Sequence, residues 1–254
     1  MRGRSNPSRL IVESVAAIDS TNSELLRREP LLPTGSPAEA IWLVALTQTA
    51  GRGRRERNWI SSAAASLTAS FARETERASN LGALSLVAGV ALAQALDEFG
   101  VRVRLKWPND LHVADGKAGG ILCEARSRGG VTRLVIGCGL NLLAPPLAVG
   151  QPAAGLFDRA GLPDRQALVH SIGAALLAAT DRLLAEGFEP FREQWSARDL
   201  LLGRPVVIHH HGGASAAVAR GIDVDGALLV AYDHAPDLLE RILAEEVSVR
   251  PLSA

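Results

Sequence analysis

The apolar run Ile41 to Leu46 feeds directly into Gln48-Thr49-Ala50-Gly51-Arg52-Gly53-Arg54-Arg55-Glu56-Arg57-Asn58-Trp59. A buried strand has to surface at that junction, because the nine residues from Gly51 to Trp59 hold two glycines, four arginines and one tryptophan. The glycines let backbone N–H groups approach a ligand closely, and the guanidiniums supply forked positive charge. Taken alone, the loop suits a small anionic ligand, a solvated basic turn or a patch touching nucleic acid. The chain as a whole carries 27 Lys+Arg against 27 Asp+Glu. No global field therefore points to nucleic acid or to an anionic membrane, and any attraction for anions is local.

A length of 254 residues, 47% of them hydrophobic, allows one large core or a domain with a small module. Cys123 and Cys138 lie in apolar runs and read as small core residues of a reducing compartment, not as a disulfide or zinc framework. No uninterrupted apolar run of about 18 residues occurs, and Met1 to Arg9 leads into no signal-peptide core. The expected location is cytoplasmic.

The remaining elements follow from periodicity and breakers. Leu10 to Ala16 suits a short strand, and Asp19-Ser20-Thr21-Asn22 caps a helix that ends before Pro30. Ser66 to Phe71 suits a strand, and Leu81 to Phe99 a long core helix closed by Gly100. Val101 to Trp107 alternates apolar and basic residues, as a half-buried strand does. Pro108-Asn109-Asp110 turns that strand, and Asp115-Gly116 marks a hairpin before Lys117 to Glu124 and Val131 to Leu142. Ala144 to Gly161 is a long Pro/Gly-rich connection of the kind that covers sites. Helices are expected over Arg165 to Glu186 and Pro190 to Arg198. From Leu202 onward, short apolar runs at Val206 to Ile208, Ala216 to Ala219, Ala227 to Tyr232 and Glu246 to Val249 suit a small all-β barrel. The boundary is placed after Leu201, giving units 1–201 and 202–254. His209-His210-His211 alternates faces on a strand and cannot chelate one metal together.

Five polar or glycine-rich turns end apolar strands: Asp19 to Asn22, Gln48 to Trp59, Lys106 to Leu111, Lys117 to Glu124, and Gly137-Cys138-Gly139-Leu140-Asn141. None is a P-loop or a dinucleotide fingerprint. Brought together, they would hold a carboxylate and a phosphate side by side. Their order, DSTN, QTAGRGRxxRxW, KWPNDL, KxGGILxE and GxGLN, is similar to that of biotin–protein ligases. The β run after Leu201 resembles that family's C-terminal domain.

The resemblance implies an α+β fold: a central mixed β-sheet flanked by helices, as in class II synthetases, with a C-terminal SH3-like barrel. It also implies a two-step reaction. Biotin's carboxylate attacks the α-phosphate of ATP, with Mg²⁺ present, to give biotinyl-5′-AMP; a lysine of biotin carboxyl carrier protein then takes the biotinyl group. Lys117, Arg54 and Arg52 are the implied catalytic cations. Ser20, Thr21, Asn22, Gln48, Gly51, Arg52, Gly53, Arg54, Trp59, Lys117, Gly119 and Gly120 are implied around biotin. Arg54, Arg57, Trp59, Asn109, Lys117, Asn141 and Arg250 are implied around the nucleotide, with Asp110 a candidate near Mg²⁺ and no protein metal cluster. A monomer or homodimer is expected.

Two departures stand out. Glu56 occupies a position where the family carries glycine, which narrows the backbone choices and suggests a carboxylate that relieves repulsion in an otherwise mobile loop. Residues 144–161 offer only Phe157 in place of the tryptophan that stacks on adenine in the relatives that also repress genes. Those repressors carry a helix-turn-helix ahead of the ligase; the 18 residues before Asp19 lack its apolar periodicity, so no DNA binding is expected. The competing readings are a lipoate or octanoate ligase or transferase of related fold and a non-catalytic biotin-binding module.

Overall fold

The structure is a computed structural model that describes residues 9–77, 81–114, 116–145, 152–210, 213–232, 234–244 and 248–251. Near one edge of its main sheet lies β2 (Ala40–Gln48), whose first six residues are all buried. A strand with apolar residues on both pleats can only sit between two covered faces. Accordingly β1 (Leu10–Ile18) pairs parallel on one side of it and β3 (Ser66–Thr75) antiparallel on the other. The sheet continues through β7 (Val131–Asn141), β6 (Gly116–Arg128), β5 (Asp110–Val113) and β4 (Arg104–Lys106), giving a mixed seven-stranded sheet.

One face packs α2 (Leu84–Asp97) and α3 (Arg165–Glu186) against Trp42, Val44 and Phe71. The other face receives the short α1 (Thr21–Arg27), where Leu25 meets Ile41, Leu43, Ala72 and Val135. By length and mean hydropathy of 1.3 over its best window, α3 could cross a bilayer. Here its buried stripe, Leu168, Ile172, Leu176 and Leu183, lies in the main core. A further helix, α4 (Glu189–Ser196), buries Phe191 and Trp195.

The C-terminal segment forms a five-stranded antiparallel sheet of β8 (Pro205–His210), β9 (Gly213–Ile222), β10 (Leu228–Tyr232), β11 (Ala235–Ile242) and β12 (Ser248–Pro251), in the order β11-β10-β9-β8-β12. Its apolar face is continuous with the main core through Val206, Ile208, Leu228 and Val230. The connection before it is also tied down: Leu105 N–H donates to Arg198 O at 2.8 Å, and Leu200 N–H to Leu105 O at 2.8 Å. Asp199 sits buried between them, where desolvation raises its carboxyl pKa.

Two elements differ from expectation. The strand expected over Val101 to Trp107 begins only at Arg104, because Val101 N–H still caps the preceding helix on Leu96 O at 3.1 Å. The Val103 carbonyl is taken by the Arg198 guanidinium at 3.2 Å rather than by a neighbouring strand. The sequence also gave no sign of β11, whose residues Pro236 to Arg241 are exposed on both faces and so show no alternation. Parts of the expected hairpin at Asp115-Gly116, of the histidine run and of the Glu246 to Val249 strand lie outside the described residues.

Candidate active site

The site lies on the face that carries α1. Ser20 caps that helix, its hydroxyl accepting from Ser23 N–H at 3.4 Å. Ser20, Thr21 and Asn22 are all buried. Buried polar groups have to be satisfied, and here they satisfy one another across three strands. Thr21 donates its N–H at 2.7 Å and its hydroxyl at 3.0 Å to Gln48 Oε1. That commits the Gln48 carbonyl and leaves its NH₂ as a donor. The Ser70 hydroxyl lies 2.7 Å from Thr21 Oγ1 and 2.5 Å from Asn22 Oδ1. Asn22 Nδ2 donates to Leu122 O at 3.1 Å and Glu124 Oε2 at 2.7 Å.

Glycines make the floor. A Cβ on Gly137 would lie 2.3 Å from Asn22 Oδ1, and one on Gly139 would lie 2.4 Å from the Trp59 ring. The indole therefore rests directly on the backbone of β7, with its Nε1 buried and without a partner among the described residues. Gly120 faces the same side, beside Lys117, with room for ordinary contact at 3.5 Å. Gly119 points the other way, against Leu140 at 2.6 Å, so its role is packing between strands.

The arginine loop is a small hairpin. Gly53 N–H donates to Arg57 O at 2.7 Å and Trp59 N–H to Gly51 O at 2.9 Å, with a bridge between Arg52 and Asn58. A side chain at Gly51 would meet Trp59 O at 2.6 Å, so glycine is required there for close approach. The left-handed position of the tip is Arg55, at φ 55°, not Glu56, whose side chain lies outside the described atoms. The guanidiniums diverge. Arg54 Nη1 donates to Asn109 Oδ1 at 3.3 Å, and its Nη2 to Ala244 O, which ties the loop to the C-terminal sheet. Arg52, expected among the catalytic cations, instead reaches Ser23 Oγ at 3.2 Å and Glu124 Oε1 at 3.1 Å.

Beyond the loop, Lys117 Nζ meets Asp110 Oδ1 at 2.5 Å. Asn109 is locked by Nδ2 to Ile121 O at 2.7 Å, and Asn141 Nδ2 reaches Lys117 O at 3.4 Å. The end of the long connection docks here, with Lys117 N–H donating to Pro152 O at 2.9 Å and Ala154 N–H to Lys117 O at 3.0 Å. Phe157 packs its partly buried ring against the main core.

Lys106 opens the KWPNDL motif without an assigned role; it is buried on this face opposite Asp110 in the β4–β5 register. Burial lowers its pKa; Asp110 opposes that, and Lys117, Arg250 and Arg57 add to it through space. Its neighbour His112 is pushed down to about 4, chiefly by burial, with Asp110 opposing and Lys106, Lys117 and Arg104 reinforcing. Four cations around one carboxylate make a site for a polyanion. No cluster of three or more His, Cys, Asp or Glu occurs among the described residues. Asp110, the candidate near Mg²⁺, is paired with Lys117. Ser70, Gly137, Gly139 and Glu124 join the site only through strand register. Gly137, Gly139 and Glu124 already stand in the GxGLN and KxGGILxE motifs, whereas Ser70 had no signal beyond a serine inside an apolar strand.

The comparisons with known proteins agree with this geometry. The profile of the Biotin/lipoate A/B protein ligase family matches residues 15–141. The bifunctional ligase/repressor BirA of Salmonella typhimurium is 35% identical over 246 residues, spanning 94% of this chain and 74% of that one. The biotin–[acetyl-CoA-carboxylase] ligase of Paracoccus denitrificans is 33% identical, spanning 85% of this chain and 92% of that one. The solved biotin protein ligase of Aquifex aeolicus, in complex with biotin and ATP, superimposes with a TM-score of 0.80 at 26% identity, covering 95% of this chain and 99% of that one. With this fold, this site and these relatives, the chain belongs to the biotin/lipoate A/B protein ligase family.

Proposed function

We propose that this protein activates biotin with MgATP to biotinyl-5′-AMP and pyrophosphate, then transfers the biotinyl group to a lysine of a biotin carboxyl carrier protein. The observation that carries the reading is the two-ended site. A buried network of Ser20, Thr21, Asn22, Gln48 and Ser70 lies at one end, and the cations Arg54, Lys117 and Lys106 lie at the other. The network suits a polar ring with both donors and acceptors, as in biotin's ureido group. A saturated acyl chain would leave the Gln48 NH₂, the donor this network does not use, unpaired at a cost of about 1–3 kcal/mol. Relatives acting on biotin support the same choice. The glycine floor and the Trp59 indole form the apolar walls for the fused rings.

In the first step, a carboxylate oxygen attacks the α-phosphorus and the bond to pyrophosphate breaks. Two anions must meet, so fixed cations stabilise the transition state most. In this reading Lys117 and Arg54 serve the carboxylate and α-phosphate, and Arg57, Arg250, Asn109 and Asn141 the nucleotide. Mg²⁺ enters on the phosphates as part of the substrate, with Asp110 orienting Lys117. In the second step, the neutral amine of the carrier lysine attacks the acyl carbon, AMP leaves with the bridging oxygen, and the amine proton is lost. Residues 1–201 carry this chemistry, and 202–254 close the nucleotide side through Ala244.

A thermal-shift screen with biotin, lipoate and octanoate, each with and without MgATP, tests the specificity. Biotin raises the Tm and MgATP raises it further; stabilisation by lipoate or octanoate but not by biotin would refute the reading.

A further inference from the structure

Among the described residues, Glu124 is the carboxylate that joins the arginine loop to the turn expected to hold biotin. Its Oε1 accepts from Arg52 at 3.1 Å, while its Oε2 accepts from Asn22 at 2.7 Å and lies 3.2 Å from Arg52. Ser23 on α1 adds a second contact to the same guanidinium, at 3.2 Å. With Arg54 fixed to Asn109 and Ala244, the hairpin 51–59 is held at a second point as well. Only the Arg54 end lies beside the Lys117–Asp110 pair. Both Asn22 Nδ2 hydrogens are spent on Leu122 O and Glu124, so its Oδ1 must face Ser70. One side chain thus sets the loop's closure and the orientation of the Asn22 amide.

From this we infer that Arg52 and Glu124 are positioning residues, a latch that holds the arginine loop closed over the site before any substrate arrives. The inference rests on the reading of the site as an adenylate-forming one, and it assigns the latch the retention of the reactive intermediate. Close arginines repel one another when no anion is bound. The sequence suggested Glu56 as their internal counter-ion; for Arg52 that counter-ion is Glu124. The Arg52 and Glu124 side chains are 41% and 25% exposed, so the pair is a partly screened one. Losing it shifts the closed–open balance roughly fivefold. That is enough to govern how often a bound adenylate escapes before a carrier lysine takes it.

The test combines two readouts on Glu124→Gln, which keeps an acceptor for Asn22 but removes the charge, on Arg52→Gln, on their double variant, and on Arg52→Lys. Hydrogen exchange of amides 51–59 in the ligand-free full chain reports the latch without relying on any substrate. Chase of preformed biotinyl-5′-AMP reports escape. Both single Gln variants speed exchange and escape roughly fivefold, the double variant goes no further, and Arg52→Lys stays near wild type. Exchange in Glu124→Gln equal to wild type, or effects of the two Gln variants that add in the double, would overturn the latch. If wild type forms no adenylate from biotin and MgATP, the functional reading fails instead, and the exchange measurement alone decides the latch.

Discussion

At the residue scale, the site reads as charge placed against backbone. His112 shows the cost of this arrangement. It is buried on the cationic face of β5 with Nε2 unpartnered among the described residues, and its pKa is pushed down to about 4. The unfolded chain takes up a proton near the ordinary histidine value, whereas the folded protein resists until lower pH. The neutral ring's contribution is therefore fully present above about 6.5 and is lost as pH falls toward about 4. Between pH 7 and pH 4.5 this costs on the order of 2 kcal/mol. His112→Phe removes that part of the acid sensitivity. Urea unfolding at both pH values measures it; an equal pH dependence in the variant would show that another group carries it.

At the element scale, the position of α1 decides where Ser20, Thr21 and Asn22 lie, and a seven-residue helix cannot hold itself in place. Arg133 on β7 does so from beneath. Its Nη1 donates to Leu25 O at 3.0 Å and Arg28 O at 2.5 Å, capping the open C-terminal carbonyls, and its Nη2 pairs with Glu74 at 2.7 Å. Arg133→Met should cost roughly 2 kcal/mol of stability. It should also raise KM for biotin more than it lowers kcat, with Arg133→Lys in between. A stability loss with unchanged KM would show that α1 is positioned by its apolar face alone.

Much at this scale was legible beforehand. The strands through Ile41, Ser66, Lys117 and Val131 and the two long helices announce themselves by apolar runs or periodicity, because each is buried on one face or on both. Edge elements did not: β11 buries neither face, and β4 yields its first residues to a helix cap and to Arg198. Three of the five motifs lie at turns, whereas Lys117 to Glu124 and Gly137 to Asn141 lie inside β6 and β7, and the contacts between them depend on register. Ser70 reaches Asn22, and Glu124 meets Arg52, only because β3, β7 and β6 pair as they do. Sequence spacing cannot specify such contacts. It also could not show that the guanidiniums of Arg52 and Arg54, two positions apart, take different partners.

At the scale of the whole molecule, the C-terminal sheet is part of the site's support. Trp107 Nε1 donates to Gly226 O at 3.0 Å, Arg54 reaches Ala244 O, and the linker at Arg198 to Leu200 hydrogen-bonds to Leu105 in β4. The KWPNDL turn is thereby held between the two sheets, and with it Asn109, Asp110 and the lysine that Asp110 orients. In the proposed reaction Lys117 is the cation that brings carboxylate and α-phosphate together. Biotin-dependent exchange of pyrophosphate into ATP measures that step alone. Wild type should exchange with biotin and not with lipoate or octanoate, and Lys117→Ala should lower the rate by about 10²–10³-fold. Exchange supported by lipoate instead of biotin, or a Lys117→Ala rate equal to wild type, would contradict it.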